Sequence, residues 1–459
     1  MANYTPNQPA DSGRRTDPFG PDIIAPAGTV VLPGTGIMVS TNEADLIKTG
    51  GGTDDICASG GDDKVIAGDD GDEVDGGDGN DWISGDNELG ETDGDGDDII
   101  RGGNGNDTIL GQGGNDQIWA EDDNDLVYAG SGDDYVSGGE GDDTIDGGDG
   151  RDELAGGNGE DSISGGKGKD TISGGDDDDK LFGNGGNDDM NGDAGNDYMK
   201  GGNGNDRMSG DSGNDTMEGG SGFDCVKGDG GNDEIWGDVA SDGANTIFGV
   251  GDTLIGGNGD DTIYGQGGGD EIAGNDGNDS ISGGNGDDRI VPGKGDDTMY
   301  GGEGSDTFEF HQDDNGTGIY MFQNAVDVIK DWDGNVSSSA DNDVIKLCGQ
   351  PEFDVVKIQY GTFFATGDQL PDDVMILLNN GQRIFLEDAA LLEDGSGNNT
   401  GQLEFVMGIH SFSNPISGGL NGDDFVFCHL PEVCEEVTCD DPVEAEDIPE
   451  PVIWDSISA

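Results

Sequence analysis

Apolar side chains in the middle of this chain recur at a fixed interval of nine residues. A clean copy of the unit is Gly102-Gly103-Asn104-Gly105-Asn106-Asp107-Thr108-Ile109-Leu110, in general G-G-x-G-x-D-x-U-x with U large and apolar. The x-U-x triplet predicts a very short strand with one side chain pointing inward. The six residues before it must turn the chain sharply, and glycine suits that because it adopts positive φ and lets backbones approach closely. Self-similarity of this kind decides the fold before any single residue does.

Indexing on the aspartate gives three uninterrupted runs. The first is Asp54, Asp63, Asp72 and Asp81. The second is Asp98, Asp107, Asp116, Asp125, Asp134, Asp143, Asp152, Asp161, Asp170, Asp179, Asp188, Asp197, Asp206, Asp215, Asp224 and Asp233. The third is Asp252, Asp261, Asp270, Asp279, Asp288, Asp297 and Asp306. In all 27 copies the residue two places after the aspartate is apolar, from Ile56 to Phe308, and in 23 the residue two places before it is Gly. An acidic, Gly-rich disordered linker would explain the composition but not an apolar residue fixed in every copy. Carboxylates together with the carbonyl oxygens that tight loops expose suit Ca²⁺, which takes six to eight oxygens in flexible geometry.

The repeats over residues 51–310 resemble the RTX, or hemolysin-type calcium-binding, nonapeptide family. The resemblance implies an all-β fold, a parallel β-roll (β-solenoid) in which two nonapeptides make one 18-residue turn. Strands would lie on two faces, with Ca²⁺ held between successive loops along each edge. By the same resemblance each of the 27 aspartates is a side-chain metal ligand and shares its ion with the copy 18 residues away.

Composition adds to this picture. The chain has 459 residues, 92 of them Gly, and 30% are hydrophobic, too few for an ordinary core of this length. A formal charge of −84 opposes compaction by self-repulsion. Most of the chain is therefore expected to be unfolded without metal. Roughly 20 Ca²⁺ ions, one between each pair of successive same-edge loops, would cancel about half of that charge and so supply folding energy. Such acidity excludes nucleic acid as a partner, because phosphate binding needs Lys and Arg clusters. It also disfavours anionic membranes, while divalent cations could bridge the chain to other acidic polymers.

Residues 1–50 form a polar segment with no apolar stretch for a Sec-type signal peptide, and Arg14-Arg15 lacks the apolar stretch of a twin-Arg signal. No segment approaches the length of a membrane span. Ile23-Ile24 and the stretch from Gly28 to Val39 read as one or two strands capping the first coil. The spacings Asp81 to Asp98 and Asp233 to Asp252 are 17 and 19 residues, each close to one full turn. Residues 86–93 and 239–250 are therefore expected to replace one degenerate half-turn each, keeping face parity in one continuous roll. Some 14 turns would make a rod roughly 65–70 Å long. Ala120-Glu121-Asp122-Asp123 lacks every glycine, so its loop is expected to bind an ion loosely. Met190, Met199, Met208 and Met217 occupy U in successive copies and read as adaptable core filling rather than a soft-metal site. The position after the aspartate is mixed, so no flat threonine array forms.

Beyond Phe310 glycine falls away. Asp327–Asp333 (Asp-Val-Ile-Lys-Asp-Trp-Asp) and Asp341–Leu347 resemble the element that follows such rolls in secreted serralysin-like proteases, and Asp423–Phe427 resembles their closing strand. Asp372–Leu378 and Gln382–Leu386, joined through Asn379-Asn380-Gly381, read as a hairpin. Residues 311–427 are thus expected to form a β-rich C-terminal cap domain, and 428–459 an acidic tail in the place where the family carries a type I secretion signal. Of the six cysteines, Cys57, Cys225, Cys348, Cys428, Cys434 and Cys439, the last three lack zinc-site spacing and point instead to a tail disulfide or free thiols.

The three histidines, His311, His410 and His429, form no H-E-x-x-H, and neither G-x-S-x-G nor a P-loop is present. Asp93-x-Asp95-x-Asp97 imitates an EF-hand start but has Asp98 where the turn glycine belongs and Asn104 where the bidentate Glu belongs. No catalytic residue is assigned. The expectation is a secreted, extracellular calcium-binding repeat protein, exported by type I machinery, with a structural, adhesive or cell-surface/matrix role. The alternatives are a toxin- or hydrolase-related exoprotein active through its C-terminal region, and a secretion-and-folding module without cargo.

Overall fold

The computed structural model describes residues 43–86, 96–238 and 251–310 in full, and the backbone of separate strands on either side. Among the described residues every regular element is a strand. From Ile23–Ile24 to Thr307–His311 consecutive strands fall on opposite sheets, and each pairs in parallel with the strand two further along. Thr144–Asp149 lies against Ser162–Lys167, with Ile145 opposite Ile163, a register of 18 residues. Glu153–Asn158 lies against Thr171–Asp176 in the other sheet, with Leu154 opposite Ile172. The fold is the expected all-β parallel roll, and the 18-residue turn holds.

The repeat explains why the chain winds this way. In a strand such as Thr171–Asp176, Ile172 and Gly174 point inward and are buried, while Thr171 and Asp176 are exposed. Each strand thus contributes one large apolar side chain to the interior. The columns Ile145, Ile163, Leu181, Met199, Met217 and Leu154, Ile172, Met190, Met208, Val226 meet as a thin continuous core, every member at most 1% exposed. Each such burial stabilises by about 1.5–3 kcal/mol, against backbone ordering of about 1–2 kcal/mol for each of the nine residues in a copy. One apolar residue in nine cannot hold the coil alone. The four methionines pack as core, as expected.

The two interruptions differ from the expectation. The strand Glu73–Asp78 pairs with Ile99–Asn104 in the same sheet, Val74 opposite Ile100. Trp82–Ser84 lies in the other sheet and pairs with Thr108–Gly113. Asp81 and Asp98 therefore stand on opposite edges, one half-turn apart, and the Asp72 to Asp98 separation is 26 residues rather than 18. Likewise Cys225–Gly230 pairs with Thr253–Asn258, and Asp224 to Asp252 is 28 residues. The segments are thus insertions of eight and ten residues within single loops, not degenerate half-turns. Strand alternation forces this, because a true half-turn must add a strand to the opposite sheet, whereas the described strands on either side of each segment pair directly with one another. Residues 87–95 and 239–250 lie outside the described residues.

The roll also begins earlier than the repeat signature. Leu46–Lys48 pairs with Lys64–Ile66, and Asp45 occupies the aspartate position of that copy. Before it, Ile23–Ile24, Thr29–Val31 and Ile37–Val39 extend the two sheets in parallel, through Met38 opposite Ile56 and Val30 opposite Ile47. After it, Val344–Cys348 pairs in parallel with Thr307–His311. The hairpin read from the sequence is present, Asp373–Leu378 running antiparallel to Arg383–Leu386. Phe425–Phe427 pairs in parallel with Ile345–Leu347. Cys57 is a free thiol and Cys225 is disulfide-bonded. The tail 428–459, with Cys428, Cys434 and Cys439, lies outside the described residues.

Candidate functional site

The loops along the two edges carry the chemistry. In the copy ending at Asp170, Gly166 and Gly168 have φ of 110° and 133°. A Cβ on Gly168 would overlap the carbonyl oxygen of Gly150 in the preceding turn. These two glycines reverse the chain within a few residues and let the loop backbones stack, with Gly168 N–H donating to Gly185 O at 2.7 Å. The glycine-free loop keeps the same path by forcing Glu121 and Asp123 to φ of 84° and 78°.

At the exit of each loop stands the repeat aspartate. All 27 predicted ones are buried, at most 4% exposed. They line up in two columns, one per edge. Asp72, Asp98, Asp116 and Asp134 follow one another on one edge and Asp81, Asp107, Asp125 and Asp143 on the other. Within a column each Oδ1 accepts the backbone N–H of the aspartate one turn earlier: Asp170 N to Asp188 Oδ1 is 2.9 Å, and Asp188 N to Asp206 Oδ1 is 2.9 Å. Asp179 belongs to the other column, bonded to Asp161 and Asp197.

The second oxygen has no such partner. From Asp63 to Asp288 the Oδ2 of every repeat aspartate is buried and accepts no hydrogen bond. It rests against the bare Cα of the glycine five residues earlier, as Asp170 Oδ2 does on Gly165 and Asp188 Oδ2 on Gly183, where a side chain would fill the space. Burial pushes these carboxyls far above the usual carboxylate range: Asp152, Asp161 and Asp188 to about 7, Asp116 and Asp288 to about 8, Asp98 and Asp252 to about 9. The backbone N–H opposes the rise, and neighbouring aspartates of the same column add to it.

A buried oxygen without a donor costs about 1–3 kcal/mol, and more when charged. Repeated at every turn, it requires either a proton or a cation. Among the described residues no three Asp, Glu, His or Cys side chains converge on one point. A cation here would take one or two carboxylates and draw its other ligands from the stacked loop carbonyls. An all-oxygen set of that kind suits a hard ion of flexible coordination such as Ca²⁺. Asp54, Asp297 and Asp306 sit in the same columns at the ends of the series.

Two further sets of residues belong to these loops. Asp45 donates its N–H to Asp63 Oδ1 at 2.6 Å, and only the lack of glycine before it hides its nine-residue spacing from Asp54. The residue before the repeat aspartate is Asn or Asp in most copies, and its side chain caps the next turn, as Asn196 Oδ1 does for Asn214 N–H at 2.9 Å. That preference was visible as a bias at one position of the repeat.

A family model described as the RTX calcium-binding nonapeptide repeat matches the chain in overlapping blocks spanning residues 34–87, 92–244 and 250–315. Those blocks cover the two edge columns from end to end. A comparison with curated proteins found no match.

Proposed function

The chain belongs to the RTX calcium-binding nonapeptide repeat family, and on that premise we propose that it is an extracellular protein whose roll assembles around Ca²⁺ after export. It is a calcium-binding repeat protein. The role proposed for it is structural: a stiff, acidic rod serving adhesion, a matrix or a cell surface, without catalysis. The repeat aspartates are the proposed side-chain ligands, about 20 ions in all, and the proposed exporter is a type I secretion machinery.

The buried, donorless Oδ2 that recurs from Asp63 to Asp288 carries this reading. Bound Ca²⁺ would supply positive charge at these oxygens, which accept no hydrogen bond. The protein's own residues do the rest: Gly166 and Gly168 shape the loop, Oδ1 locks Asp188 to the turn before it, and Ile172 and its neighbours close the core. Extracellular calcium modules bind with dissociation constants of about 10⁻⁴–10⁻³ M, far above cytosolic calcium, which keeps such a chain unfolded until export. Far-UV circular dichroism of the full chain in chelator and in millimolar Ca²⁺ tests the folding step, and a β spectrum unchanged by excess EDTA would refute it. Binding of the labelled chain to whole cells, with and without Ca²⁺, tests the surface role, and equal absence of binding in both would remove it.

A further inference from the structure

We propose that Cys225, in the body of the roll, is disulfide-bonded to Cys439, and that this bond straps residues 428–439 across the outer face of the sheet that carries Cys225. The connectivity follows from the strand ladder and from chain length, and does not depend on the calcium reading given above.

Cys225 opens the strand Cys225–Gly230 at a half-buried position on the outer face, and its sulfur is in a disulfide. Cys57 is a free thiol, which leaves Cys348 and the three tail cysteines as partners. The ladder excludes Cys348. From Cys225 the sheet steps through strands opening at Thr253, Glu271, Arg289, Thr307 and Val344, five strand spacings or about 24 Å. Bridged Cα atoms lie at most about 7 Å apart. The strand Phe425–Phe427 is one spacing further, and Phe427 lies opposite Leu347, three residues further along than the row of Cys225. Phe427 thus stands about 30 Å from Cys225. A disulfide spans about 6 Å of that and leaves about 24 Å to the chain. Cys428 follows Phe427 directly and cannot cross the gap. The seven residues to Cys434 reach about 24 Å only when fully extended. The chain leaves Phe427 along the strand and must first turn across the sheet, so Cys434 falls short. The twelve residues to Cys439 reach about 40 Å, which leaves slack for the turn.

The face along this path suits the tail. Its outward positions hold Ile255, Ala273 and Val291 on three successive strands, an apolar row that no earlier part of this sheet repeats. Arg207 lies opposite Cys225 on the neighbouring strand, and Lys227 is two residues beyond Cys225 on its own. Residues 428–459 carry ten Asp and Glu and no Lys or Arg, so their charge is opposite to that of this basic pair. Residues 428–439 also include Leu430, Val433 and Val437 to match the apolar row. Exposure changes along the sheet at the same point. Glu153, Thr171 and Asp189 are exposed, whereas Arg207, Cys225, Thr253, Glu271 and Arg289 at the same repeat position are half-buried. A segment lying over these strands accounts for the change. Forming the bond removes two protons and two electrons from the thiols, and an external disulfide such as oxidised glutathione takes them up and leaves as two thiols. Reducing compartments keep such a bond open. The tail is therefore free in a reduced chain and strapped once the roll stands under oxidising conditions.

Mapping the bond in the native full chain tests the proposal. The protein is folded in millimolar Ca²⁺ with oxidised glutathione, its free thiols are alkylated without reduction, and it is cut with trypsin and then after acidic residues. Cleavage at Glu435 and Glu436 separates Cys434 from Cys439. Mass spectrometry is expected to find the Cys225 fragment joined to the Cys439 fragment, with Cys57 alkylated. An alkylated Cys225, or its linkage to any other cysteine, overturns the proposal. Limited proteolysis after acidic residues tests the strap. In the calcium-loaded chain the tail should be cut several-fold faster in Cys225→Ser than in the wild type. Wild type whose disulfides have been reduced should show the same acceleration, which covers the case of a variant that fails to fold. A tail cut equally fast with the bond closed and open removes the strap.

Discussion

Replacing Asp188 separates the two jobs of a repeat aspartate. Its Oδ1 accepts the Asp170 N–H at 2.9 Å, and its Oδ2 is buried without a donor. Asp188→Ala removes both functions. The stranded N–H costs about 1–3 kcal/mol. The lost ion costs about 2.7 kcal/mol when free Ca²⁺ is a hundredfold above the dissociation constant. The sum is about 4–6 kcal/mol, and the calcium midpoint for folding should rise accordingly. Asp188→Asn keeps an oxygen for the N–H and removes the charge, so it should lose only the ion contribution and fall about 1–3 kcal/mol short of the alanine effect. A second substitution at Asp170, bonded to Asp188, should be non-additive with either, by about 0.5–3 kcal/mol. Asp179 is in the other column and should add more nearly independently. The assay is circular dichroism followed against free Ca²⁺ for singles and doubles. If Asp188→Asn leaves the midpoint unmoved while Asp188→Ala raises it, the carboxylate is a backbone cap and the metal-ligand argument fails.

Other consequences are open to the same measurements. In the metal-free roll the repeat carboxyls are raised by burial, Asp134 and Asp143 to about 6 and Asp152 and Asp161 to about 7. A raised folded-state value stabilises the fold below the ordinary carboxylate range and is lost as pH rises through the folded value. Calcium-free protein should therefore gain β structure on acidification and lose it between about pH 4 and 8, and a metal-free spectrum independent of pH would contradict this. With calcium present the order reverses, because protons compete for the oxygens, so the calcium midpoint should climb as pH falls below about 7. Gly168→Ala, at φ 133° and against Gly150 O, should cost about 2–5 kcal/mol, whereas Gly185→Ala, whose added Cβ would meet only Gly166 O at 3.7 Å, should change thermal stability in Ca²⁺ by about 0.5 kcal/mol or less. Asp123→Gly relieves a φ of 78° and should stabilise the glycine-free loop by about 1 kcal/mol, read as a lower calcium midpoint.

The roll was legible because its period reports a physical cycle. One buried residue such as Ile172, one turn-forming pair such as Gly166 and Gly168, and one aspartate recur for each half-coil, so spacing alone gives the sheets and the columns. Spacing fails where length and conformation separate. The 17 residues from Asp81 to Asp98 and the 19 from Asp233 to Asp252 come close to one turn by arithmetic only. The ladder cares about which sheet a strand joins, and Ile99–Asn104 joins the sheet of Glu73–Asp78 whatever the length of the segment that follows Trp82–Ser84. A loop on the edge of a solenoid can lengthen at little cost, because closure entropy grows only with the logarithm of its length. A missing strand would open a gap in a sheet and strand a full set of backbone donors. That asymmetry makes insertion the better first reading of any interruption in such a repeat. Asp45 escaped for the converse reason: its strand pairs and its N–H finds Asp63, but Ser40, Thr41 and Glu43 stand where the glycines would be. The strand partner and the carboxylate column define a copy physically, while glycine only makes its turn easier, as Glu121 and Asp123 show by holding the same turn without it.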